Sequence, residues 1–146
     1  MNKWDLRFLD MAKLVSTWSK DISTKCGGVI VRPDRTIASV GFNGFPRRMT
    51  DKEEFLVDRK EKLSRIVHAE MNALLHLKEP ANRYFLYTYP LPPCDRCIVH
   101  MIQAGITYFV APKLPEHLEE RWGESVERTK LYLKECGLSL EEVEYQ

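Results

Sequence analysis

Two short strings decide how this chain is read: His68-Ala69-Glu70 and Pro92-Pro93-Cys94-Asp95-Arg96-Cys97. His68, Cys94 and Cys97 are three zinc-type ligands, one short of a closed tetrahedron. A zinc ion held by three protein groups keeps its fourth position for water, which is the mark of a catalytic rather than a structural site. Glu70 follows the histidine by two residues and places a proton carrier beside that water. The strings predict one catalytic Zn²⁺ per chain and metal-activated hydrolysis. A histidine and a glutamate two apart diverge inside a regular helix. They converge only if His68 lies on the non-helical edge of a helix start. There the exposed N–H groups also favour the cysteine thiolates.

Working outward, the apolar pattern alternates helices with strands. Phe8, Met11, Ala12, Val15 and Trp18 fall on one helical face, with Met11 and Trp18 expected in the core. Gly27–Val31 and Thr36–Val40 read as a hairpin-like strand pair around Pro33-Asp34. Residues 41–60, with Gly41, Gly44, Pro46 and many charges, read as a long functional loop. A helix is expected from Ala69 to Lys78, a strand at Tyr84–Tyr89, and a helix from Cys94 to a Gly105 cap. A strand at Ile106–Val110, a helix at Glu124–Cys136 and a short edge strand within Leu138–Val143 follow. This order predicts a three-layer α/β domain with a mixed sheet, spanning residues 1–146 as one unit. No repeat or low-complexity stretch interrupts it.

Composition narrows the partners. The chain has 146 residues and a net charge of +1, so no global field attracts nucleic acid or an anionic membrane. No apolar run reaches the roughly 18 residues of a spanning helix, and the N-terminus lacks a signal-peptide core. Of the cysteines, the pair 94/97 reads as metal ligands in a reducing compartment, and Cys26 and Cys136 as small packed residues. The expected location is the cytoplasm, of a bacterium or of a virus-infected cell.

The motif set H-x-E and P-C-x-x-C is the known signature of zinc deaminases. The chain resembles the cytidine/deoxycytidylate deaminase superfamily over residues 5 to 137. Gly41-Phe42-Asn43-Gly44-Phe45-Pro46 is similar to a stretch of the deoxycytidylate branch. Ser19-Lys20-Asp21, Ser23-Thr24-Lys25 and Gly27 resemble that branch's first loop and strand, and Gln103-Ala104-Gly105-Ile106 the segment after its zinc helix. The resemblance implies a cytidine-deaminase-like α-β-α fold and hydrolytic deamination of dCMP to dUMP. In it, zinc-activated water attacks C4 of cytosine while Glu70 protonates N3 and then the leaving amine. It implies that Asn43 holds the sugar hydroxyl and that the N–H groups of Ala69 and Gly27 contact the base. No phosphate-binding glycine fingerprint occurs, so a 5′-phosphate falls to Thr24 and Lys25, with Arg47 and Arg48 behind them. Trp122 and Ser125 are expected to close the pocket. The resemblance also implies a homo-oligomer, commonly a hexamer, and a deoxynucleoside triphosphate effector.

Three features depart from the branch. Arg48 stands where many relatives have glycine, and Thr88–Pro93 is unusually proline-rich. Residues 41–66 contain no histidine or cysteine for the second, structural zinc of some relatives. Other readings stay open: another cytosine nucleoside, a modified pyrimidine nucleotide or a tRNA base as substrate, or a non-catalytic zinc-stabilised interaction domain. Asn43 between glycines also fits a turn residue with a left-handed backbone. The basic residues from Arg47 to Arg65 alternate with acids and read as a solvated loop. His76, His100 and His117 stand outside any motif.

Overall fold

The computed structural model describes residues 2–145; Met1 and Gln146, the ends of the expected 1–146 unit, lie outside them. Helix α1 (Lys3–Ser16) opens with a capping box, in which the Asn2 side chain accepts from the Asp5 N–H and Asp5 answers the Asn2 N–H. Strands β1 (Gly27–Val31) and β2 (Ile37–Phe42) form an antiparallel pair. Two short helices follow, α2 (Glu53–Val57) and α3 (Arg59–Arg65), then α4 (Ala69–His76), β3 (Phe85–Tyr89), α5 (Asp95–Gln103) and β4 (Tyr108–Pro112). A 3₁₀ turn at Glu116–Leu118 leads into α6 (Glu119–Glu135) and β5 (Leu140–Val143). None of the described helices is long and apolar enough to cross a membrane.

The five strands form one mixed sheet in the order β2-β1-β3-β4-β5. β1 runs antiparallel to β2 and β3, while β3, β4 and β5 run parallel. Alternation along the strands sends their side chains to two cores. Val29, Val31, Tyr87 and Val110 pack under α1 with Phe8, Leu9 and Ala12. Ile30, Leu86 and Phe109 face the other way, onto Ala73 of α4, Ile98 and Met101 of α5, and Leu133 of α6. The result is the three-layer α-β-α arrangement with a mixed sheet that the sequence predicts.

Two glycines bring helix and sheet into backbone contact. A Cβ at Gly41 would lie 2.4 Å from the Ala73 nitrogen of α4, and one at Gly27 2.1 Å from the Ala12 carbonyl oxygen of α1. At these two positions helix and strand meet with no side chain between them. Beneath α1, the buried Asp5 carboxylate accepts from the hydroxyls of Tyr87 at 2.8 Å and Tyr108 at 3.0 Å.

Several expectations are corrected. Glu53–Val57 and Arg59–Arg65 are helical, so the expected 41–60 loop holds one helix and the start of another. Asp58 caps α3 by accepting from the Glu61 N–H at 3.2 Å, and acidic residues in both first turns complement the helix dipole. Trp18 lies past the end of α1, is 53% exposed and packs edge-on against Phe42. Met11 is half-buried at the edge of the core beneath α1. Cys136 is exposed at the C-terminus of α6, not packed.

Candidate metal centre and active site

His68 is the N-cap of α4, with an extended backbone at ψ 155°, and Cys94 is the N-cap of α5. Both ligand strings thus cross from extended chain into helix at the ligand itself. Nδ1 of His68 lies 3.4 Å from Sγ of Cys94 and 3.3 Å from Sγ of Cys97. Zn–S and Zn–N bonds of ordinary length at the tetrahedral angle separate S from N by about 3.5 Å. The three ligand atoms, all within 4.8 Å of one another, could hold a metal ion, and both N–S distances match zinc. No fourth histidine, cysteine or carboxylate joins the cluster among the described residues, and His100 is exposed and turned to the Arg96 carbonyl.

Zinc binding takes a neutral imidazole and two thiolates, and the surroundings tune the three groups unequally. The hydrogen bond from the Cys97 thiol, followed by His68, holds Cys94 well below the usual thiol range and favours its thiolate. The Cys94 sulfur holds His68 up at about 9, and Cys97, hydrogen-bonded to Cys94 and buried, is pushed up. Glu70 lies in the first turn of α4, is 7% exposed, and has Oε1 4.0 Å from His68 Nδ1. Burial pushes its carboxyl up to about 7, the range in which one group can both take and give a proton.

His68, Glu70 and Cys94 line a cleft that also includes Thr24, Gly27, Asn43, Ala69, Trp122 and Ser125, while the buried Cys97 does not line it. Ser125 donates to the Asp95 carboxylate at 2.7 Å and accepts the Asp95 N–H at 3.0 Å, fixing the α5 N-terminus. Asn43 is buried with φ outside the left-handed region, so the turn reading of this residue does not hold. Its amide nitrogen donates to the Thr24 carbonyl at 2.9 Å, and its amide oxygen accepts the Cys26 N–H at 2.9 Å. Arg48 takes a φ of 73°, the backbone that glycine adopts most readily.

Lys25 falls outside the cleft. It is exposed and lines an adjoining trough of about 1050 Å³, which shares Ser23, Thr24, Arg59, Tyr89 and Arg121 with the cleft. Arg47 pairs instead with His76, at 3.1 Å. Sequence reasoning missed Arg59, Arg121, Asp21 and Lys62 in the cleft wall. Arg59 and Lys62 were hidden in a mixed-charge run, and Cys26 lines the cleft although it was expected only to fill space.

The comparisons agree with this geometry. Residues 2–112 match the family model described as the cytidine and deoxycytidylate deaminase zinc-binding region. A protein of Aliivibrio fischeri described as an uncharacterized deaminase in the luxG 3′ region is 36% identical over 96% of this chain and 93% of its own length. A probable deoxycytidylate deaminase of Caenorhabditis elegans is 38% identical over 71% of this chain and 55% of that relative. The fold matches the dCMP deaminase of cyanophage S-TIM5, solved with dCMP and dUMP, at a TM-score of 0.74 and 20% identity over 98% of this chain and 99% of that one. Family and fold together make this a zinc-dependent deaminase, a hydrolase, with His68, Cys94 and Cys97 positioned for the metal. The chain belongs to the zinc-binding family of cytidine and deoxycytidylate deaminases.

Proposed function

We propose that the protein converts deoxycytidylate to deoxyuridylate with release of ammonia. The observation that carries this reading is one cleft with His68, Cys94 and Glu70 in its wall and the Cys97 sulfur 3.3 Å from His68 Nδ1, together with two arginines, Arg59 and Arg121, shared with the neighbouring trough. A cytosine ring needs the triad and the carboxylate, and a 5′-phosphate needs the cations. Deoxycytidylate is also the substrate named for the nematode relative and bound in the cyanophage structure.

A zinc ion at His68, Cys94 and Cys97 supplies Lewis acidity and lowers the pKa of water towards about 7. Glu70 takes the proton from the attacking water and delivers it to N3 of the ring. With the water oxygen bonded to C4, Glu70 then carries that oxygen's remaining proton to the amine, the C4–N bond breaks as the C4 carbonyl forms, and ammonia leaves. The N–H groups of Ala69 and Gly27 orient the base, and Asn43 shapes the sugar end. Thr24, Arg59 and Arg121 receive the phosphate, with Lys25 beyond them in the trough. Residues 1–146 act as one deaminase domain in this reading, in the cytoplasm and within a homo-oligomer, hexameric by family resemblance and open to a deoxynucleoside triphosphate effector.

Ammonia release from a panel of cytosine and adenine nucleosides and monophosphates tests the assignment. Preference for dCMP over deoxycytidine is expected. Equal turnover of the two overturns phosphate recognition. Turnover of a modified pyrimidine nucleotide or a tRNA base in place of dCMP reassigns the substrate, and zinc-loaded protein inactive on every compound overturns the enzyme reading. Size-exclusion chromatography with and without dCTP tests assembly and effector.

A further inference from the structure

Lys62 is the one buried residue of α3. Its side chain is 6% exposed, and Nζ lies 3.0 Å from Oδ1 of Asp21, itself 5% exposed. A buried ion pair is a weak source of stability, because desolvation of both charges offsets their attraction. Its value lies in the geometry it fixes, and here the geometry is that of the cleft.

Asp21 is a hub. Oδ1 also accepts the N–H groups of Ser23 at 2.7 Å and Thr24 at 3.2 Å, and Oδ2 lies 3.3 Å from the amide nitrogen of Asn43. Asn43 in turn holds the Thr24 carbonyl and the Cys26 N–H, and its own carbonyl accepts the Ser19 hydroxyl at 2.9 Å. One carboxylate therefore ties residues 21–26 and Asn43 to a helix that ends three residues before the metal ligand His68. Without a cation beside it, that carboxylate would be a buried unpaired charge.

We propose that Lys62 is a positioning residue for the substrate side of the cleft. It does not touch the nucleotide. Its ammonium keeps Asp21 in the wall, and Asp21 sets the backbone of Ser23 and Thr24 and the amide of Asn43 where sugar and phosphate arrive. This rests on the deoxycytidylate reading.

Kinetics of Lys62→Met, Lys62→Arg and the paired Asp21→Asn/Lys62→Met variant on dCMP test the idea, with amide hydrogen exchange on the ligand-free proteins. Lys62→Met is expected to raise KM by at least about tenfold with kcat little changed. Its exchange should rise at residues 21–26 and stay unchanged in α4 and α5. Lys62→Arg should restore most of the KM. The paired variant removes the lone charge, so it should recover the melting temperature but not the KM, and it carries the test if Lys62→Met fails to fold. Recovery of KM as well in the paired variant overturns the proposal, as does uniform loss of protection in Lys62→Met. Wild-type protein that turns over other cytosine compounds but not dCMP sinks the deoxycytidylate reading alone; the exchange pattern then still decides whether Lys62 holds the wall.

Discussion

Oε1 of Glu70 stands 4.0 Å from Nδ1 of His68, although one residue separates them in sequence. The contact exists because His68 caps α4 in an extended conformation while Glu70 is already helical. A full helical setting of His68 would turn the two side chains apart. The helix boundary is thus what places a proton carrier beside the metal ligand.

Glu70→Gln keeps the volume of the side chain and removes its proton chemistry. Zinc content should remain near that of the wild type, and ammonia release should fall by about 10²- to 10⁴-fold. Metal analysis beside a coupled ammonia assay reads both quantities on one preparation.

Cys97 is 5% exposed and offers its sulfur to the metal position from the first turn of α5. Cys97→Ala should lower zinc affinity by at least about 100-fold, since loss of a ligand outweighs loss of a supporting partner. Competition against a chromophoric chelator measures it. Unchanged affinity would remove Cys97 from the ligand set.

Tyr87 donates to the buried Asp5 carboxylate from the central strand β3. Tyr87→Phe removes the hydroxyl donor to Oδ1 of Asp5, while Tyr108 keeps its bond to Oδ2. Urea unfolding should show a loss of about 1.5 kcal/mol, with zinc binding unaffected.

Arg48 holds a φ of 73° near the middle of the segment between β2 and α2. A side chain in that region carries strain that glycine escapes, while glycine loses more freedom on folding. The balance favours Arg48→Gly by about 0.5 kcal/mol, read as a raised urea midpoint.

Arg32, followed by Tyr84, holds Glu79 down at about 2, against 4.5 for the free group. The unfolded chain takes up this proton first as pH falls. The contribution is therefore complete above pH 4.5 and is lost between 4.5 and about 2. Both side chains are about one-third exposed, so the effect is modest. Unfolding midpoints at pH 5 and pH 2.5 should differ less in Glu79→Gln than in the wild type.

The legible parts of this molecule are those written in neighbouring residues. The α5 string carries two ligands, a cap and an apolar face in one stretch, so its helix and its chemistry were readable together. The sheet followed from runs such as Gly27–Val31. Helices α2 and α3 were not readable, because α2 buries nothing and α3 buries only Lys62. Rather than on apolar periodicity, α3 relies on its Asp58 cap and the Lys62–Asp21 pair, and α2 packs against α3. The Lys62–Asp21 pair spans 41 positions, and no local pattern distinguishes this lysine from the solvated ones around it. Trp18 was misplaced because helical spacing was extended past the end of α1 at Thr17.

Gly27 and Gly41 bring no side chain to the chemistry, yet each occupies a place where a single methyl group would strike helix backbone. At Gly41 that backbone belongs to the helix whose first turn bears Glu70 and whose cap is His68. Enlarging the residue lifts the helix, and the lift reaches the metal. The tolerance of the catalytic centre to mutation is therefore set partly by atoms that are missing from the opposite side of a helix. A search for functional positions that scores only reactive side chains would pass over them, and a redesign that fills small gaps in the sheet would disable the enzyme while improving its packing.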